Sequence, residues 1–91
     1  MLDNTYLILP EKIATDSDLT PISRLIFAKI YGLSKSDGYC WATNKYLSQY
    51  FNVSIRTISM SISTLSKKKY ISIFGNNSKR KIYINYSMIE N

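Results

Sequence analysis

The apolar positions of the chain fall into segments of different period. Residues 5–10, TYLILP, are short, apolar and stopped by proline, which fits an edge strand or an extended N-terminal arm. Residues 11–19 are polar and irregular, with room for one helical turn. In LTPISRLIFAKIYGLSKSDG, Ile22, Leu25, Ile26, Lys29 and Ile30 recur at helical spacing, with Phe27 and Leu33 beside them. Thr20 suits an N-cap and Pro21 the first helical position, where a missing N–H costs nothing. This pattern predicts a helix from about Pro21 to Leu33, with SKSDG as the loop that ends it.

YCWA, residues 39–42, is too short for more than a small strand. Thr43 then caps a second helix, NKYLSQYF, with Leu47, Tyr50 and Phe51 inward. Asn52 tolerates the left-handed backbone of a tight turn, Val53 packs into that turn, and Ser54 is the N-cap of a third helix from Ile55 to about Lys68. Tyr70 to Phe74 and Lys81 to Tyr86 are β-branched and aromatic runs around GNNSK, a β-hairpin signal.

The third helix turns about 100° per residue. That puts Ile55, Ile58, Ile62 and Leu65 on one side, the expected core face. Arg56, Thr57, Met60, Ser63, Thr64 and Lys67 lie on the other. A helix meant only for water usually carries Glu and Lys, whereas Ser and Thr weaken helices because their hydroxyls compete for backbone partners. Short hydroxyl side chains let a helix axis come close to base edges in a DNA major groove. Arg56, in the first turn, is placed to reach guanine O6 and N7, and Met60 to pack on a thymine methyl. A merely solvated face is the plainer account of the same residues.

Charge shifts the balance. Residues 1–37 hold four cations and five carboxylates, but residues 38–89 hold eight cations and no carboxylate. Such asymmetry points to a polyanionic partner; a lysine-rich composition bias explains the lysines but not the missing acids. The N-terminus does not suit a signal peptide and no run is long enough to span a bilayer, so no membrane partner and a cytoplasmic setting (bacterial cytosol or phage-infected cell) are expected. The single cysteine, Cys40, reads as a small buried hydrophobe. There is no histidine, no paired carboxylate in a plausible site, no glycine-rich phosphate loop and no metal-ligand set, so neither enzyme action nor a cofactor is expected.

ATNKYLSQYFNVSIRTISMSISTLSKKKYISI resembles the winged helix-turn-helix pattern. Leu47 and Phe51 face inward, Asn52 and Val53 make the turn, Ser54 opens the recognition helix, and an apolar strand follows from Tyr70. The preceding ILPEKIATDSDLTPISRLIFAKIYGLSKSDGYCWAT is similar to the helix-turn-helix domains of phage and plasmid replication initiators and of DnaD-like primosome proteins. Two positions depart from the pattern: Asn52 and Lys69 stand where the family has glycine, and Lys69 obscures where the third helix ends. The resemblance implies that GNNSKRK, residues 75–81, is the wing. Asn76 and Asn77 form its tip, and Lys79 and Arg80 follow as minor-groove or phosphate contacts. An ordinary solvated turn guarded by lysines fits the same residues.

Thr43 and Lys45, at the start of the second helix, suit a backbone phosphate. Ser54 and Lys67 complete the expected contacts, while Lys68 and Lys69 read as structural. Eight tyrosines raise the idea of stacking on single strands. However, Tyr31, Tyr46, Tyr50, Tyr70, Tyr83 and Tyr86 fall where core or boundary packing is simpler, and Trp41 is expected between the small strand and the helices.

The expectation is one α+β domain over residues 1–91, a winged helix-turn-helix with a three-helix core, a C-terminal hairpin wing and a short N-terminal strand or arm. The arm takes residues 1–19, the helical core 20–69 with its helix-turn-helix at 43–68, and the wing 70–86. The expected function is sequence-specific binding of double-stranded DNA, as the origin-binding domain of a mobile element. A transcriptional repressor with the same reading unit is the alternative, and a winged-helix protein–protein module is the alternative of another class. A homodimer on a palindrome is one route to affinity, and a replication or transcription protein is a further expected partner.

Overall fold

The computed structural model describes residues 7–90, apart from the Asn77 side chain. The start of the expected N-terminal strand, Thr5 and Tyr6, lies outside the described residues, and Leu7–Pro10 form no strand. In chain order the elements are α1 (Glu11–Ala14), α2 (Pro21–Asp37), α3 (Asn44–Phe51), α4 (Ile55–Lys67), β1 (Ile71–Phe74) and β2 (Lys81–Ile84), with 3-10 turns at Asn77–Lys79 and Tyr86–Met88. The three longer helices form the body and the hairpin closes one side, giving a winged helix-turn-helix.

Each long helix starts on a hydroxyl. Thr20 accepts from the Ser23 amide at 3.2 Å, Thr43 from the Tyr46 amide at 3.0 Å, and Ser54 from the Thr57 amide at 3.0 Å. Each satisfies one of the donors a helix N-terminus leaves free. The helices stop on left-handed residues. Gly38 ends α2 at φ 81° and Asn52 ends α3 at φ 56°; Lys69, just past α4, sits at φ 69°. Lys69 takes the conformation for which glycine is the usual residue, and the Asn85 amide donates to its carbonyl at 2.8 Å.

α2 is a full turn longer than expected. SKSD remains helical because Ser34 is buried and its hydroxyl donates back to the Ile30 carbonyl at 2.7 Å, so the polar run carries no unmet backbone group. Gly38 is the actual stop. β2 is shorter than expected, since Tyr86 belongs to a 3-10 turn.

The core unites Ile13, Leu19, Ile26, Phe27, Ile30, Leu47, Ile58, Ile62 and Leu65 with Tyr70, Ile71, Ile82, Ile84 and Ile89. Each fully buried large aliphatic or aromatic side chain contributes about 1.5–3 kcal/mol. Cys40 is buried as expected, and desolvation pushes its thiol pKa up. Three residues expected inward are not. Ile55 is 52 % exposed, Tyr50 44 % and Leu25 42 %. Helical period gives the direction a residue faces, not whether another element lies there. At the first position of α4, Ile55 shares the azimuth of the core but not its cover. Phe27, expected at the flank, is fully buried and meets Tyr70 edge-on at 6.4 Å.

A polar tie joins the α1–α2 loop to the end of α4. The Tyr70 hydroxyl donates to Asp16, and Lys68 pairs with Asp16 at 3.1 Å and Asp18 at 3.0 Å. The Tyr70 hydrogen bond, then the Asp18 amide and Lys68, hold the Asp16 carboxyl below its ordinary range against the opposing effect of burial. Lys68 is thus neutralised by the body, matching its expected structural role.

Candidate nucleic-acid interface

α4 is positioned from both ends. Ile58, Ile62 and Leu65 bury its inner side. Ser61 is buried there too, in a 3.0 Å hydroxyl–hydroxyl hydrogen bond with Ser23 of α2. The three-residue turn Asn52–Ser54 fixes its approach to α3, with the Ser48 hydroxyl donating to the Val53 carbonyl. The side left open carries Arg56, Met60, Ser63 and Lys67, all exposed, with Thr57 and Thr64 partly exposed.

The hydroxyls on this face are not equivalent. Ser54 and Thr57 form the N-terminal cap and contact each other at 2.9 Å. Thr64 donates to the Met60 carbonyl at 3.1 Å, a back-bond that satisfies it within its own helix. Met60, 59 % exposed, also lines a shallow groove with Thr57, Thr64 and Thr20.

A second group gathers where α3 begins beside the wing. Thr43, Asn44 and Lys45 line a concavity of about 320 Å³ together with Ser78 and Arg80. The free amides of an N-terminal helical turn favour an anion there. Asn44 and Ser78 were not among the expected contacts. Neither carries a charge or a periodic signal, and only the fold brings them together.

Arg80 departs from expectation. It was expected to present its charge from the wing with Lys79, but its guanidinium is turned inward. It donates to Asn44 Oδ1 at 2.9 Å and to the Ala42 carbonyl at 2.7 Å, and burial pulls its pKa down. Arginine stays charged regardless. Its role here is to fasten the wing to the start of α3. Asn76 and Lys79 are exposed on the tip, and the Asn77 side chain lies outside the described residues. Gly75 opens the turn at φ 73°, and a Cβ there would stand 2.7 Å from the Lys79 carbonyl oxygen, so glycine is required.

Lys45, Arg56, Lys67 and Lys79 therefore present their charges outward from α3, α4 and the wing. Asp16 and Asp18, in the α1–α2 loop, are taken up by Lys68. Among the described residues no group of three or more His, Cys, Asp or Glu side chains could hold a metal ion, and no helix is long and apolar enough to cross a membrane.

No curated protein and no solved structure matches the chain. The helix-turn-helix domain family matches it over residues 17–71, a span that takes in α2, α3, the Asn52–Ser54 turn, α4 and the start of β1. With three capped helices, the tight turn before α4 and an open outer helix face already in place, that match settles the lineage: the chain belongs to the helix-turn-helix domain family.

Proposed function

We propose that the chain binds double-stranded DNA in a sequence-specific way and serves as the origin-binding domain of a replication initiator from a mobile element. DNA as partner follows from the family and from the acid-free cationic stretch. The replication role rests on the resemblance of residues 8–43 to initiator domains, and the reading involves no catalytic step and no cofactor. The single observation that carries it is the open face of α4, where Arg56, Met60, Ser63 and Lys67 stand exposed on a rod whose opposite side is locked into the core. A helix of this kind, about 10–12 Å across with its side chains, fits a major groove about 12 Å wide.

In this reading Arg56 reads a base edge from the first turn of α4 and Met60 packs on an apolar base group. Ser63 and Lys67 follow the groove, while Lys45, Thr43 and Lys79 hold phosphates on either side. Phosphate contacts set register and base contacts set sequence.

The test has two steps. Selection from random duplexes with the purified chain yields its site; iterated direct repeats support an origin, and a lone palindrome supports a dimeric regulator. Arg56→Ala is then expected to lose about 1–3 kcal/mol on the selected site, with an unchanged melting temperature because Arg56 is exposed. Equal affinity of variant and parent removes α4 as the reader and favours protein docking.

A further inference from the structure

The outer face of the hairpin has a chemistry of its own. Along β2, Ile82 and Ile84 are buried while Lys81 and Tyr83 alternate to the other side. β1 pairs Ser72 with Tyr83 and Phe74 with Lys81. On the opposite edge of β2, Cys40 exchanges two backbone hydrogen bonds with Ile82, at 2.7 and 3.0 Å. The segment around Cys40 thus adds a third rung. Cys40 is buried, so alternation puts Tyr39 and Trp41 on the outer side.

The rings form a connected strip. Phe74 meets Tyr83 with centroids 5.6 Å apart, and Tyr83 meets Tyr39 at 5.9 Å. The Lys81 ammonium lies 4.8 Å from the Tyr39 centroid. Phe74 is 60 % exposed and Tyr39 and Tyr83 are half-buried, while Trp41 packs edge-on against Tyr46 of α3 at 5.0 Å and stands outside the strip. A soluble surface rarely leaves such a group of rings open without an occupant.

We propose that this face binds an unpaired strand of nucleic acid, its bases stacked on Phe74, Tyr83 and Tyr39 and its phosphates held by Lys81. Bases stack on aromatic side chains whatever their identity, while cations track the backbone. Bases in a duplex have their faces covered, so a ring platform selects strands whose bases are free. Charge selects among occupants. Residues 38–89, which include the hairpin and the Cys40 segment, contribute cations and no carboxylate, which favours a polyanion, whereas a second copy docked face to face would set Lys81 against its own equivalent. The proposal stands apart from duplex reading by α4, which uses other residues.

Fluorescence anisotropy tests it with three labelled strands of about 15 units, long enough to fill one platform: oligothymidylate, oligouridylate and an abasic backbone of equal charge. One or both base-bearing strands are expected to bind at least roughly ten-fold tighter than the abasic one. Phe74→Ala is expected to lose roughly ten-fold of that affinity, and Tyr83→Leu, which keeps an apolar side chain in the hairpin, a similar factor. Phe74→Ala duplex affinity stays within about two-fold of the parent. Equal binding of the abasic backbone by the parent protein overturns the proposal, since charge alone then suffices. So does a Phe74→Ala variant that sediments as a smaller species while its strand affinities stay unchanged, which would make the face a contact between copies.

Discussion

Lys69 holds a left-handed backbone at φ 69°, which costs a residue with a Cβ roughly 1–2 kcal/mol. The position turns the chain from α4 into β1, and the Asn85 side chain bonds the Lys69 carbonyl, so the surroundings hold the turn even with lysine in it. Two substitutions that both remove the charge isolate the backbone effect. Lys69→Gly is expected to be more stable than Lys69→Ala by about 1 kcal/mol, read from urea unfolding midpoints at constant slope; equal midpoints would mean the turn relaxes to another conformation. Asn52, at φ 56°, solves the same problem with a side chain that tolerates this region, which is why it stood out in the sequence while Lys69 obscured the end of its helix.

Among the elements, the wing separates two cations that sequence treats alike. Lys79 stands exposed on the tip, and Arg80 one residue later is half-buried against Asn44 and Ala42. Lys79→Gln is expected to leave stability within about 0.5 kcal/mol and to flatten the salt dependence of DNA binding by about one unit. Arg80→Gln is expected to cost about 1–3 kcal/mol of stability, because it strands a buried carbonyl and an amide oxygen, and to loosen the wing from α3. Thermal unfolding and binding at several salt concentrations separate the two. Equal stability losses would mean that Lys79 is also part of the wing's anchorage. The same logic applies to Lys68, which looks like a neighbour of Lys67 yet is paired with Asp16 and Asp18.

For the molecule as a whole, with Arg56 on a base edge, three outward cations, Lys45, Lys67 and Lys79, set the number of counterions a duplex can release. At about 0.9 per phosphate contacted, log affinity against log salt is expected to slope at roughly −2 to −3 for one copy on one site, and about twice that for a dimer on a palindrome. A slope near zero would remove this surface as the interface. Much of this was written in the chain before any fold. Caps at Thr20, Thr43 and Ser54, the helical isoleucines of α4, the hairpin around Gly75 and the acid-free stretch are local or additive features, and local periodicity and charge survive in one dimension. The open α4 face was legible for the same reason, because a helix has fixed angular spacing. What only the tertiary structure decided is which neighbour each residue meets. Arg80 turned inward because Ala42 and Asn44 lie beside it, Ile55 stayed exposed because the core reaches α4 only from Ile58 onward, and Tyr39, Tyr83 and Phe74 became one surface because Cys40 bridges Ile82 across the far edge of the sheet. Those contacts join residues about forty positions apart, and no short-range pattern encodes a meeting at that distance.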